Sequence, residues 1–228
     1  MAKLISKPDH AWLISAVIAA ALLIAAIFVP LWSMQLVAPQ YPEGLIMYAY
    51  GDHFQGETKG YYEGFDAVRE INGLNHYIGM QPIKEVTEMT LFIPGMLATV
   101  AGLILVSFIA WHRRWFRGLM IAAVWFLPVF FVIDLQYWLY HYGHTMDPEA
   151  ALNTGSFTPK VIGTTAVWNF HSQTQVEIGF FLMVASAFVI SFLPPAIRFV
   201  QARRHRIAKT AGTSTANTGR TPAQRGLA

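Results

Sequence analysis

AWLISAVIAAALLIAAIFVPLW, residues 11–32, carries no charged side chain over 22 positions. About 20 apolar residues are enough for a helix to cross the core of a bilayer. Three further runs meet the same condition: Leu91–Trp111, Gly118–Tyr140 and Ile178–Ile197, broken by a single charge, Asp134. Pro30, Pro94, Pro128, Pro194 and Pro195 lie in or near these runs. A membrane bundle tolerates such prolines where neighbouring groups satisfy the freed carbonyls. The predicted fold class is an all-α membrane protein: four transmembrane helices with a structured extracytoplasmic cap. Lys3 and Lys7 precede the first run, as in a secretory signal. Its apolar stretch, however, exceeds the roughly 7–15 residues of a signal core, and no A-x-A site follows. It reads as a retained helix.

Composition agrees. Hydrophobic residues make up 54% of the 228 and charged residues 13%, against about a quarter charged in soluble domains. The absence of cysteine excludes disulfides, thiolate metal sites and covalently attached c-type haem. The pI near 9.2 reflects topology. Residues 1–10, 112–117 and 198–228 hold 12 of the 16 basic residues and one acid, Asp9, whereas the rest hold 4 basic residues and 12 acids. The positive-inside rule then puts both termini in the cytoplasm, with the chain in a bacterial inner (cytoplasmic) membrane and no nucleic-acid partner.

The predicted organisation is a cytoplasmic N-terminus (1–10), a first span (11–32), an extracytoplasmic loop (33–90), a second span (91–111), a cytoplasmic turn (112–117), a third span (118–140), a second extracytoplasmic loop (141–177), a fourth span (178–197) and a basic, mostly disordered cytoplasmic tail (198–228). Within the first loop, Tyr48 and Tyr50 suggest a short strand, residues 63–77 a helix, and Pro82 the start of a helix leading into the second span. The second loop, rich in Gly, Thr, Asn and aromatics, reads as an ordered cap.

Five of eight histidines (His53, His76, His141, His144, His171) and five of nine methionines (Met34, Met47, Met80, Met89, Met146) fall in the outer segments. Imidazole binds copper or zinc, and thioether sulfur favours Cu(I). Without cysteine, a soft-metal site has to use these two. His141 and His144 share a face if the third helix continues through them, and His76 and Met80 are similarly spaced. The candidate metal ligands are therefore His76, Met80, His141, His144 and Met146. Asp134 shares a helical face with Tyr137 and His141 and is a candidate to orient the imidazole. The competing reading is an aromatic and histidine belt at the membrane surface, with Met used for packing. No span holds an internal histidine, which argues against a bis-histidine haem within the bilayer. No P-loop, HExxH or GxSxG occurs, so nothing marks an enzyme.

PQYPEGL (39–45), EINGLNHYIGM (70–80) and YGHTMDP (142–148), with FTP at 157–159 and NF at 169–170, resemble a group of bacterial membrane and membrane-attached proteins associated with nitrous-oxide-reductase-type gene clusters and copper-enzyme maturation. The resemblance covers roughly 38–80 and 140–171 and leaves the spans aside. It implies an accessory part in respiratory copper chemistry, with His76, Met80, His144 and Met146 at the motif positions. The expected function is an accessory membrane protein that binds copper at its outer face to assist a copper enzyme. The alternative is a non-metal assembly or anchoring subunit of a respiratory complex with a protein-docking cap. A small transporter, favoured by Asp134, is weaker with only four spans.

Overall fold

A computed structural model describes residues 9–58, 63–84, 87–108, 114–152 and 154–218. In chain order the elements are α1 (His10–Ile27), β1 (Trp32–Ala38), β2 (Tyr41–Ala49), β3 (Phe54–Thr58), α2 (Ala67–Tyr77), α3 (Thr87–Phe108), α4 (Arg114–His144), β4 (Gly163–Val167), β5 (Phe170–Val176) and α5 (Ile178–Thr218). The all-α expectation does not hold. Five helices accompany a five-stranded antiparallel sheet ordered β3-β2-β1-β5-β4 among the described residues, so the fold is mixed. Four of the helices, α1, α3, α4 and α5, are long and apolar enough to cross a membrane.

The correction starts at the end of the first apolar run. α1 stops at Ile27 with Phe28 as its C-cap, ahead of Pro30, which lacks the N–H a continuing helix needs. From Trp32 the chain alternates. Trp32, Met34, Leu36 and Ala38 are buried in one core, and the intervening residues point to the other side of the sheet. An unbroken apolar run does not by itself separate a helix from a strand.

β1 and β5 are neighbours, with Trp32 opposite Val176 and Met34 opposite Thr174. Each adjoins a long helix, β1 following α1 and β5 preceding α5. The two junctions are bonded together. Glu177 N–H donates to the Leu31 carbonyl, Gly179 N–H to the Pro30 carbonyl (both 2.9 Å) and Ser33 Oγ–H to the Glu177 carboxylate (2.6 Å). A Cβ on Gly179 would sit 2.8 Å from the Pro30 oxygen, so the close approach requires glycine. Along α1 and α5 small buried residues (Ser15, Ala16, Ala19, Ser186, Ala187) let the backbones come together. Ser186 Oγ–H donates to the Ala19 carbonyl at 2.9 Å.

The inner sheet face is covered by α2, residues 78–83 and the last turns of α4, through Ile71, Leu74, Ile78, Leu139 and Tyr142. The outer face is polar, with Gln55, Glu57, Gln173 and Gln175 exposed, the usual division of an antiparallel sheet. The predicted 63–77 helix is α2, which begins at Ala67 behind the N-cap Asp66. Residues 81–84, with Pro82, are irregular, and α3 starts at Thr87. Residues 114–117 of the predicted turn form the first turn of α4, and α5 runs on to Thr218. Residues 1–8, 112, 113 and 219–228 lie outside the described residues.

Candidate functional site

The five methionines of the outer segments all gather where the sheet meets the bundle. Met34 and Met47 face each other across the β1–β2 register. Met34, Met47 and Met80 are buried in the core beneath the sheet, and Met146 packs against it. Met34 and Met80 line one small cavity of about 50 Å³ together with Asn75. Asn75 is buried, and its amide nitrogen has no hydrogen-bond partner among the described residues. Thioethers pack well in irregular cores, so burial alone does not distinguish packing from ligation.

A main-chain seam brings together the two segments that carry the sequence motifs. Asp147 N–H donates to the Gly79 carbonyl (2.8 Å) and Leu152 N–H to the Tyr77 carbonyl (3.1 Å). The partners run in opposite directions, and Met80 and Met146, each next to a residue of the Gly79–Asp147 bond, both belong to the core beneath the sheet. Gly79 has a φ of +83°, and a Cβ there would lie 3.0 Å from the Asp147 oxygen. Both the left-handed conformation and the close approach call for glycine.

The histidines lie at the surface: His76, His141 and His144 are all exposed. His144 stacks on Tyr140, with ring centroids 3.9 Å apart. Its Nδ1–H donates to the Tyr140 carbonyl at 2.9 Å, which leaves the lone pair of the neutral ring on Nε2. His141 stacks on Tyr137 and meets Trp138 edge-on. His76 occupies the last turn of α2. Asp134 is half-buried and lines a separate groove between α3 and α4. No group of three or more His, Cys, Asp or Glu able to hold a metal ion occurs among the described residues. Thioethers are thus the donors that the fold concentrates.

Of the predicted residues, the structure gathers Met80 and Met146 at one core and keeps the three imidazoles on the exterior. Met34 and Asn75 were not singled out from the sequence. The strand alternation of residues 32–38 was the available signal for Met34, because it turns Met34 to the same side as Trp32 and Leu36. No protein-family model matches the chain, and no curated protein matches it in sequence.

Proposed function

We propose that the chain is an accessory integral membrane protein that holds Cu(I) at the sheet end of its helical bundle, on the outer side of a bacterial inner membrane, and helps a respiratory copper enzyme acquire or retain it. One observation carries this reading: Met34 and Met80, both buried side chains, line a single small cavity, and Met146 packs against the same core. Uncharged sulfur donors suit a soft monovalent ion. His144, two residues from Met146, offers an exposed Nε2 for passing the ion on.

The test is Cu(I) titration of the detergent-purified full chain against a chromophoric chelator under reducing conditions. One equivalent should bind. Met80→Leu removes the sulfur at nearly constant volume. Because even an outer-shell change at a metal site costs about 10–100-fold in affinity, it should weaken binding at least tenfold. His144→Ala should lower affinity while leaving the helices formed. Unchanged Cu(I) affinity in both Met80→Leu and Met34→Leu overturns the assignment.

A second reading, a docking cap for a respiratory complex, is favoured by Trp168. This residue sits in the β4–β5 turn at a φ of +53° and is 65% exposed. A bulky side chain in the left-handed region costs about 1–2 kcal/mol. A strained, exposed aromatic near Tyr77 and Pro39 has the chemistry of an interface anchor. Under this reading Trp168→Ala abolishes partner capture, and the methionine variants do not affect it.

A further inference from the structure

The β1–β2 and β4–β5 turns lie side by side at the end of the sheet remote from α1 and α5, because β1 and β5 pair from Trp32–Val176 to Val37–His171. The strand from Trp32 to Ala38 covers about 20 Å. The two turns and the end of α2 border an open pocket with a free volume of about 300 Å³, within the roughly 300–1,000 Å³ range of small-molecule sites. Tyr77, Trp168 and Phe170 give it aromatic rings, and Gln40 and Asn169 give it amides. None of its described lining residues is charged. Met34 and Met80 do not line it, so it is separate from the copper site proposed above.

Packing does not account for Trp168. It belongs to neither hydrophobic core, and 65% of its surface is exposed. Nor does the turn call for it. Trp168 and Asn169 stand between the paired Val167 and Phe170. Of the two, only Trp168 has a positive φ, although asparagine takes that conformation more readily. Strain of this kind collects at ligand clamps. Tyr77, at the end of α2, is likewise half exposed and outside both cores.

The lining selects the class of ligand. No charged side chain in it would pair with an ion, and the surplus of acids in the outer segments repels anions. The remote end of the sheet suits a water-soluble ligand better than a lipid. A neutral sugar ring matches both kinds of lining. Its C–H face stacks on the negative face of an aromatic ring, and its rim carries polar groups that side-chain amides bond. Equatorial substituents, as in β-linked N-acetylglucosamine, leave the C–H face open, and the acetamido group adds a donor and an acceptor. We propose that the pocket binds a neutral, β-linked N-acetylhexosamine glycan, one ring of which stacks on Trp168 while the Asn169 amide bonds its acetamido group.

The experiment is calorimetric titration of the full chain, in a detergent without a sugar headgroup, with tri-N-acetylchitotriose. Binding should be saturable. Trp168→Asn should weaken it about tenfold or more, as loss of an aromatic anchor does. Asn169→Ala should weaken it about twofold to tenfold, the range of a neutral hydrogen bond. Tyr77→Ala changes an exposed ring outside the hairpin, so its weaker binding does not depend on the folding of the hairpin variants. A proline-rich decapeptide, the protein segment that aromatic-lined grooves take, should not displace the sugar. The proposal is overturned if the trisaccharide does not bind saturably, if folded Trp168→Asn or Tyr77→Ala binds it as wild type does, or if the peptide displaces it.

Discussion

The Asp9 carboxylate lies 2.8 Å from the Arg117 guanidinium and also accepts a hydrogen bond from Arg198. One acid thereby ties the start of α1 to both α4 and α5, at the end of the bundle away from the sheet. The same carboxylate caps α1 by accepting from Trp12 N–H, and the Arg117 guanidinium stands over the Trp12 ring at 5.1 Å. Burial raises the Asp9 pKa, but the bonds from Arg117, from Trp12 N–H and from Arg198 outweigh it and hold the group below the ordinary carboxylate range.

Asp9→Asn keeps a good helix cap and removes the charge, whereas Asp9→Ala removes both. Both should unfold at lower temperature than wild type at neutral pH, with Asp9→Ala losing about 1 kcal/mol more for the cap. The depressed pKa sets the sign with pH. The ionised contribution is fully present above the ordinary carboxylate pKa and is lost as pH falls through the lower folded value. The gap between wild type and Asp9→Asn should therefore close on acidification. A gap in thermal unfolding that stays constant down to the acid limit would refute the ion-pair account.

Because the chain has no cysteine, single cysteines can report its orientation. Gln55→Cys on β3 should react with a membrane-impermeant maleimide in intact cells. Arg203→Cys on α5 should react only after the cells are opened. The opposite pattern would put the sheet in the cytoplasm and remove the setting for outer-face copper handling.

Gly143 and Gly118 lie in the same helix and should respond oppositely to alanine. A Cβ on Gly143 would come within 2.2 Å of the Phe157 carbonyl oxygen, whereas one on Gly118 meets nothing within 4 Å. Gly143→Ala should destabilise by about 1–3 kcal/mol, the usual cost of overpacking. Gly118→Ala should be neutral or stabilise by up to about 1 kcal/mol through helix propensity. Thermal unfolding of the two variants beside wild type checks the contrast. Equal effects would mean that residues 157–159 do not pack on the end of α4.

Asparagine adopts left-handed backbone more readily than tryptophan. Trp168→Asn should therefore leave stability unchanged or raise it slightly. Circular dichroism and a melting curve would show this. A clear loss of stability would make Trp168 a structural residue of the hairpin and remove the observation behind the docking reading.

The four membrane-length helices and the helix preceding Tyr77 were legible in the sequence, as was the asymmetry of charge. Span length and charge bias are properties of contiguous stretches, and a bilayer reads them along one dimension. The strand expected around Tyr48 lies in β2, but the rest of the sheet was not legible. β5 (FHSQTQV) contains few strong strand formers and gains its place by pairing with β1, more than 130 residues earlier in the chain. The alternation of β1 was masked by the apolar run that precedes it. The candidate site divided in the same way. The concentration of Met and His in the outer segments could be counted from the sequence, and Met80 and Met146 could be named. Only the Gly79–Asp147 bond tied together the two segments that carry them, and only the β1 register put Met34 beneath the sheet. Each of these depends on residues distant in the chain coming together, and burial of a common apolar face, rather than any local pattern, decides which of them meet.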